Sequence, residues 1–139
     1  LRSIMGTVRV NVSVATDNVL ATPVTIVSNK AFEADSGSVT RVKLAPVASA
    51  ADNPIIYKAS DKLDRAYVYI RNLATELEKF VYLWADGGTD DIVIAKLGGG
   101  ECTFIPVPNS QTFRAYGTDV DQLIEYAVFG LDNSSTTLG

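Results

Sequence analysis

Strict alternation of apolar and polar residues is the feature of this sequence that most constrains its fold. Over Thr7–Val14, four valines alternate with four polar residues, which is the period of a half-buried β-strand. Over Arg65–Arg71, three apolar residues point one way and two tyrosines the other. No segment carries a helical period long enough for a βαβ crossover, so the pattern predicts a mostly antiparallel sheet.

Short β-branched and aromatic runs, separated by Gly, Pro, Asp and Ser, recur about every dozen residues. Nine or ten such runs predict an all-β fold, a mostly antiparallel β-sandwich or jelly-roll-like barrel. Phe80–Trp84 is apolar on both faces, so we expect it to form a central strand. The length fits a single domain over residues 1–139, with a loose polar tail at residues 131–139.

Several local patterns predict how the strands are connected, where one strand ends and whether a single side chain is buried. Leu73–Lys79 has helix-forming residues but is short for a stable helix, so we predict a wide turn. Ala45–Asn53 lacks any period and predicts a surface loop. Gly98–Gly100 lacks the lysine-serine pair and the helix of a phosphate-binding loop, and it predicts a hairpin turn. Pro106 and Pro108 are expected to stop their strand, and Cys102 is expected to be a small buried hydrophobe.

The composition argues against catalysis. The chain has no histidine and one cysteine, which removes Ser-His and Cys-His nucleophile systems, an intrachain disulfide and the commonest metal ligand. No pair of carboxylates, lysines or tyrosines stands out as a substitute. We therefore expect a protein that is not an enzyme and has no cofactor.

An acidic loop is the one place where the sequence suggests a metal. Asp86, Asp90 and Asp91 lie in a glycine-rich stretch, and carboxylate oxygens are the ligands that Ca²⁺ prefers. The spacing does not match an EF-hand loop, so we predict a solvated turn and no metal site.

Charge and hydropathy restrict the partners. Twelve basic and sixteen acidic residues give a net charge of -4, so the basic footprint of a nucleic-acid-binding protein is missing. No run of about 18 apolar residues occurs, which predicts no membrane-spanning helix. We expect neither direct nucleic-acid binding nor membrane binding.

Tyrosine and arginine mark a candidate interface, because both residue types are enriched in binding hot spots. The candidates are Arg65, Tyr67, Tyr69 and Arg71. The two tyrosines could alternatively combine with Tyr82 and Trp84 into an aromatic platform for a sugar, or the four could simply be core and interface residues.

Four segments carry a resemblance to a known family. They read as a strand ending in Arg-Asn, an aromatic strand, a Leu-Gly-rich turn ending in Glu, and a Glu-Tyr strand near the chain end. The segments are Ala66–Asn72, Phe80–Trp84, Lys96–Glu101 and Ile124–Phe129. Over roughly residues 57–130, the chain resembles small β-sandwich virion proteins of tailed bacteriophages, namely capsid decoration or cement proteins and related head or tail modules.

The resemblance implies a non-enzymatic virion component, above all a decoration protein that stabilises the shell by binding capsid subunits and itself. The implied partners are the major capsid protein or other virion proteins, and further copies of the chain, with a trimer favoured by the resemblance alone. The implied location is the phage particle, assembled in the host cytoplasm. A phage tail or head–tail module and a carbohydrate-binding receptor module remain alternatives.

Overall fold

Ten strands account for all regular secondary structure in the described part of the chain. The computed structural model describes residues 6–16, 25–34, 36–44, 54–58, 65–86, 92–108, 110–118 and 122–131. The strands are β1 (Gly6–Ala15), β2 (Thr25–Ala34), β3 (Ser36–Leu44), β4 (Ile55–Tyr57), β5 (Arg65–Asn72), β6 (Val81–Asp86), β7 (Ile92–Leu97), β8 (Cys102–Val107), β9 (Thr112–Gly117) and β10 (Gln122–Leu131). All paired strands are antiparallel, so the predicted all-β class is confirmed. Within these residues, no helix is long and apolar enough to cross a membrane.

Strands β3 to β10 form a β-sandwich of two four-stranded sheets. Sheet I has the order β3-β10-β5-β8, and sheet II has the order β4-β9-β6-β7. Most successive strands change sheet, which is the connectivity of a jelly roll. In these strand orders, β3 and β8 are the edge strands of sheet I, and β4 and β7 are the edge strands of sheet II.

The core lies between the inner faces of the two sheets. Val68 and Ile70 of β5 and Ile124 of β10 supply it from sheet I, while Val81 and Leu83 of β6 supply it from sheet II; all five are fully buried. The alternation predicted for β5 is confirmed, because its apolar residues face the core. The prediction of a central strand at Phe80–Trp84 is also confirmed, since β6 pairs on both sides.

The first 35 residues belong to a separate compact unit. In it, β1 and β2 pair along their whole length, with Val8 opposite Phe32 and Val14 opposite Ile26. One face of this ribbon is therefore mostly apolar. Whether units 1–35 and 36–139 fold as the single predicted domain stays a prediction.

Three local predictions are wrong, and strand order explains them. Gly98–Gly100 is no hairpin turn, because it joins β7 of sheet II to β8 of sheet I. The proline prediction is wrong for Pro106, which lies inside β8 and fits there because β8 is an edge strand, whereas the strand does end at Val107, directly before Pro108. Cys102 is exposed, because it starts this edge strand on the face turned away from the core.

Of the remaining local predictions, one is confirmed, and two concern residues that lie mostly outside the described part of the chain. Leu73–Lys79 forms bends and a turn without a helix, as predicted. The loop at Ala45–Asn53 and the tail residues 132–139 lie outside the described residues, and Leu131 still belongs to β10.

Asn72 connects several parts of the chain at one end of the sandwich. Three of the four segments that carry the family resemblance lie at this end. Its fully buried side chain donates to the carbonyl oxygens of Lys79 (2.7 Å) and Leu97 (2.9 Å) and accepts from the amide of Ala74 (3.0 Å). Its backbone carbonyl accepts from the amide of Gly100 at 2.9 Å. Asn72 therefore joins β5, the 73–80 turn, β7 and the glycine turn, which gives these segments a structural role.

Gly99→Ala is expected to lower the free energy of unfolding by about 1–3 kcal/mol. A Cβ at this position would overlap the carbonyl oxygen of Glu76, which belongs to the backbone and cannot rotate away. Urea denaturation would measure the change. Gly6→Ala is the matched control, because a Cβ there meets nothing within 4 Å. Equal midpoints for the two variants would contradict the prediction.

Candidate interface on the outer face of sheet I

The outer face of sheet I gathers residues from four strands that are far apart in the sequence. Strand register places its side chains in three rows across β3, β10, β5 and β8. The rows are Gly37–Phe129–Tyr67–Pro106, Val39–Ala127–Tyr69–Phe104 and Arg41–Glu125–Arg71–Cys102. The first two rows are mostly apolar, and the third is polar.

An aromatic patch, defined as Val39, Tyr67, Phe104 and Phe129, occupies the first two rows. The rings of Tyr67 and Phe104 stack with centroids 5.8 Å apart, and Phe104 lies 6.4 Å from Phe129. Ala127 is fully buried although it points outward, since larger neighbours cover it, whereas Val39 is 62% exposed. The patch is therefore a continuous apolar surface that stays partly open to solvent.

A polar row, defined as the third row (Arg41, Glu125, Arg71 and Cys102) together with the hydroxyl of Tyr69, runs beside the patch. The Tyr69 hydroxyl donates to Glu125 Oε1 at 2.9 Å, and Arg41 Nε donates to Glu125 Oε2 at 3.0 Å. The guanidinium of Arg71 donates to the Tyr69 hydroxyl at 3.0 Å, to the carbonyl of Gly100 at 3.2 Å and to the sulfur of Cys102 at 3.6 Å. These bonds fix Arg71 and Tyr69 in place before any partner binds.

The polar row carries a surplus positive charge. Hydrogen bonds from Tyr69 and Arg41 lower the pKa of Glu125, so its carboxylate is ionised and pairs with Arg41. Partial burial raises the pKa of Tyr69, and the hydrogen bond to Tyr69 raises the pKa of Arg71. Within the described ranges, no carboxylate forms an ion pair with Arg71. Two guanidinium groups thus stand beside one carboxylate.

Glu125→Gln is expected to destabilise the protein at neutral pH and to lose this effect in acid. The pKa of Glu125 is lower in the folded state, so the carboxylate contributes stability above its unfolded pKa of about 4.3. That contribution disappears as the pH falls through the folded pKa. Urea midpoints of wild type and variant, measured between neutral and acid pH, should therefore converge in acid.

Tyr69→Phe is the companion variant for this pH series, because it removes the leading cause of the lowered pKa. It should give a smaller difference from wild type with the same direction of pH dependence. A gap between wild type and Glu125→Gln that stays constant with pH would contradict the account.

The structure brings together three of the four predicted interface residues. Tyr67, Tyr69 and Arg71 share the outer face, as their alternation predicted. Arg65 starts the same strand opposite Leu131, and its side chain lies outside the described part. Sequence reasoning missed the partners on the neighbouring strands, namely Arg41, Phe104, Glu125 and Phe129.

The alternative of a single aromatic platform for a sugar finds no geometric support. Tyr67 and Tyr69 lie on sheet I, whereas Tyr82 and Trp84 lie on sheet II. On sheet II, Tyr82 stacks against Tyr116 with centroids 5.0 Å apart, and Trp84 is only 3% exposed. These rings use their faces on each other or in packing, so they offer little flat surface to a ligand.

The described residues contain no group of three or more carboxylate or cysteine side chains that could hold a metal ion. Asp90 and Asp91, and the side chain of Asp86, lie outside the described part, so the prediction for that loop stays a prediction.

Comparisons with known proteins do not identify a family or a function for this chain. No protein-family model matches the sequence, and no curated protein matches it. A solved chain described under "Bacillus endospore appendages form a novel family of disulfide-linked pili" is similar, with 14% identity and a TM-score of 0.47. The similarity covers 69% of this chain and 86% of that chain. A TM-score below 0.5 gives this similarity no weight for function.

Proposed function

We propose that the protein is a non-enzymatic structural component of a bacteriophage virion, most specifically a capsid decoration protein. It binds shell subunits and further copies of itself through the outer face of sheet I. The observation that carries this proposal is the aromatic patch beside a pre-positioned arginine. The family resemblance of residues 57–130 supplies the virion context.

The chemistry of this face suits a protein partner. Tyrosine and arginine dominate binding hot spots, and charged residues at the rim add orientation. The side chains project from a hydrogen-bonded sheet, and Arg71 is held by three acceptors. Binding therefore loses less side-chain entropy than it would on a loop.

The size of the face favours many contacts over one strong contact. Three rows across four strands cover about 400 Å², from the standard strand and residue spacings. A standard interface needs about 800 Å² on each partner. A decoration protein makes up such a deficit by touching several subunits of a lattice at once, so that modest contacts add through multivalency.

Quantitative mass spectrometry of purified particles tests the proposal. We expect many copies of the chain per particle of the phage that encodes it, and we expect particles lacking the chain to lose integrity at lower temperature. Absence of the chain from the particle would refute the virion role. Presence in only a few copies would refute the decoration role and favour the tail alternative.

A further inference from the structure

We infer that one partner of the aromatic patch is a second copy of this chain, which inserts the tip of its own 73–80 turn. This inference rests on the proposed assembly role and names the contact between copies. We call Glu76, Leu77 and Glu78 at that tip the acidic knob.

The acidic knob presents an apolar side chain between two carboxylates. Leu77 is 62% exposed, although it is one of the larger apolar residues of the sandwich. Glu76 is already paired with Lys79 at 2.7 Å and accepts from Thr75 at 2.8 Å. Glu78 is exposed and has no ion pair or hydrogen bond in the described part of the chain. The knob thus offers one apolar anchor and one free negative charge.

The knob is held rigidly, which makes it a suitable docking element. The amide of Lys79 donates to the carbonyl of Glu76 at 3.1 Å, and Asn72 binds the carbonyl of Lys79 at 2.7 Å. The backbone of the turn packs against Gly98 and Gly99 so closely that a Cβ at either position would collide with it. Little ordering is therefore needed when the knob meets a partner.

Charge decides against pairing two identical faces of sheet I. Each polar row holds two guanidinium groups and one carboxylate, so two rows face to face would bring four positive charges to two negative ones. Like charges in an interface disfavour that arrangement. The face needs a partner with surplus negative charge.

The acidic knob supplies what the face lacks. An arginine side chain has five N–H donors, and Arg71 uses three of them within its own chain. The remaining two can bind Glu78 of a second copy while Leu77 covers the adjacent aromatic rings. Because knob and patch are different surfaces of one chain, every knob can meet a patch in a closed oligomer.

Sedimentation of the full-length chain at several concentrations and salt levels tests the contact. We expect concentration-dependent association that weakens with salt, since exposed charges are screened. Glu78→Arg and Arg71→Glu should each weaken association by about tenfold or more, and the double variant should restore most of it. Leu77→Ser should weaken association without changing its salt dependence.

Matched controls separate this contact from general effects. Lys58→Glu reverses an exposed charge elsewhere, and Ile55→Ser removes another exposed apolar side chain; both should associate like wild type. Thermal unfolding confirms that each variant is folded. If Arg71→Glu does not fold, Glu78→Arg together with its salt dependence still decides.

Two outcomes would overturn the inference: a wild-type chain that stays monomeric at all concentrations, or folded single variants whose combination restores nothing. A monomeric chain that is abundant in particles would remove the contact between copies and leave the virion role intact. A chain that associates through knob and patch but is absent from particles would refute the virion role and leave the contact between copies intact.

Discussion

Asn72→Ala is expected to lower the free energy of unfolding by about 3–5 kcal/mol, a large effect for a single substitution. The variant removes three hydrogen bonds that the fully buried side chain makes, two to carbonyl oxygens and one from an amide. Each unsatisfied buried group costs about 1–3 kcal/mol. Urea denaturation with Asn11→Ala, an exposed asparagine on β1, as the control measures the difference. A loss below about 1 kcal/mol would contradict the role given to Asn72.

Asn72→Asp is expected to make the stability of the protein depend on pH through the same site. The new carboxyl group would face the carbonyl oxygens of Lys79 and Leu97, which disfavour its ionised form. Its pKa should rise in the folded state, so the variant should be least stable at neutral pH and recover as the pH falls towards its unfolded pKa of about 3.9. Stability that does not recover in acid would contradict this reading of the hydrogen bonds.

Tyr67→Ser combined with Phe104→Ser is expected to weaken the binding affinity by about 100-fold or more. The loss should appear both in the association of copies with one another and in the binding of the chain to particles. Hot-spot aromatics contribute about 2 kcal/mol or more each, and these two stack at 5.8 Å in the middle of the aromatic patch. Both rings point away from the core, so the fold should survive. Sedimentation and particle-binding assays measure the effect.

The matched control removes exposed apolar residues from sheet II instead. Ile92→Ser combined with Val93→Ser changes two side chains of β7 that are 61% and 50% exposed. It should leave assembly unchanged. Equal losses in the two double variants would show that the aromatic patch has no special part in binding.

The faces of single strands could be predicted from the sequence, but their neighbours could not. Period-two alternation placed Tyr67, Tyr69 and Arg71 on one face of β5. Glu125, which binds the Tyr69 hydroxyl, lies 56 residues away, and its other partner Arg41 lies 84 residues from it. Alternation carries no information on register between distant strands, so the polar row could not be assembled from the sequence.

The errors at the β7–β8 connection have a single cause. The local sequence pattern predicts a hairpin turn at Gly98–Gly100 and a strand end at Pro106, whereas the order of the strands in the sandwich determines both positions. Pro106 is tolerated because β8 has only one neighbour, and Gly98–Gly100 crosses between sheets. A proline within an otherwise regular strand is itself a sign of an edge position.

Alkylation of Cys102 tests most directly whether the outer face of sheet I is buried on assembly. This cysteine is the only one in the chain, it is exposed, and it lies in the polar row beside Arg71. Its labelling rate with iodoacetamide can therefore be compared between the free protein and the assembled particle, with mass spectrometry as the readout. The labelling rate should be at least about tenfold slower in the particle than in the free protein, since burial blocks access to the thiol. Equal rates in the two states would contradict it.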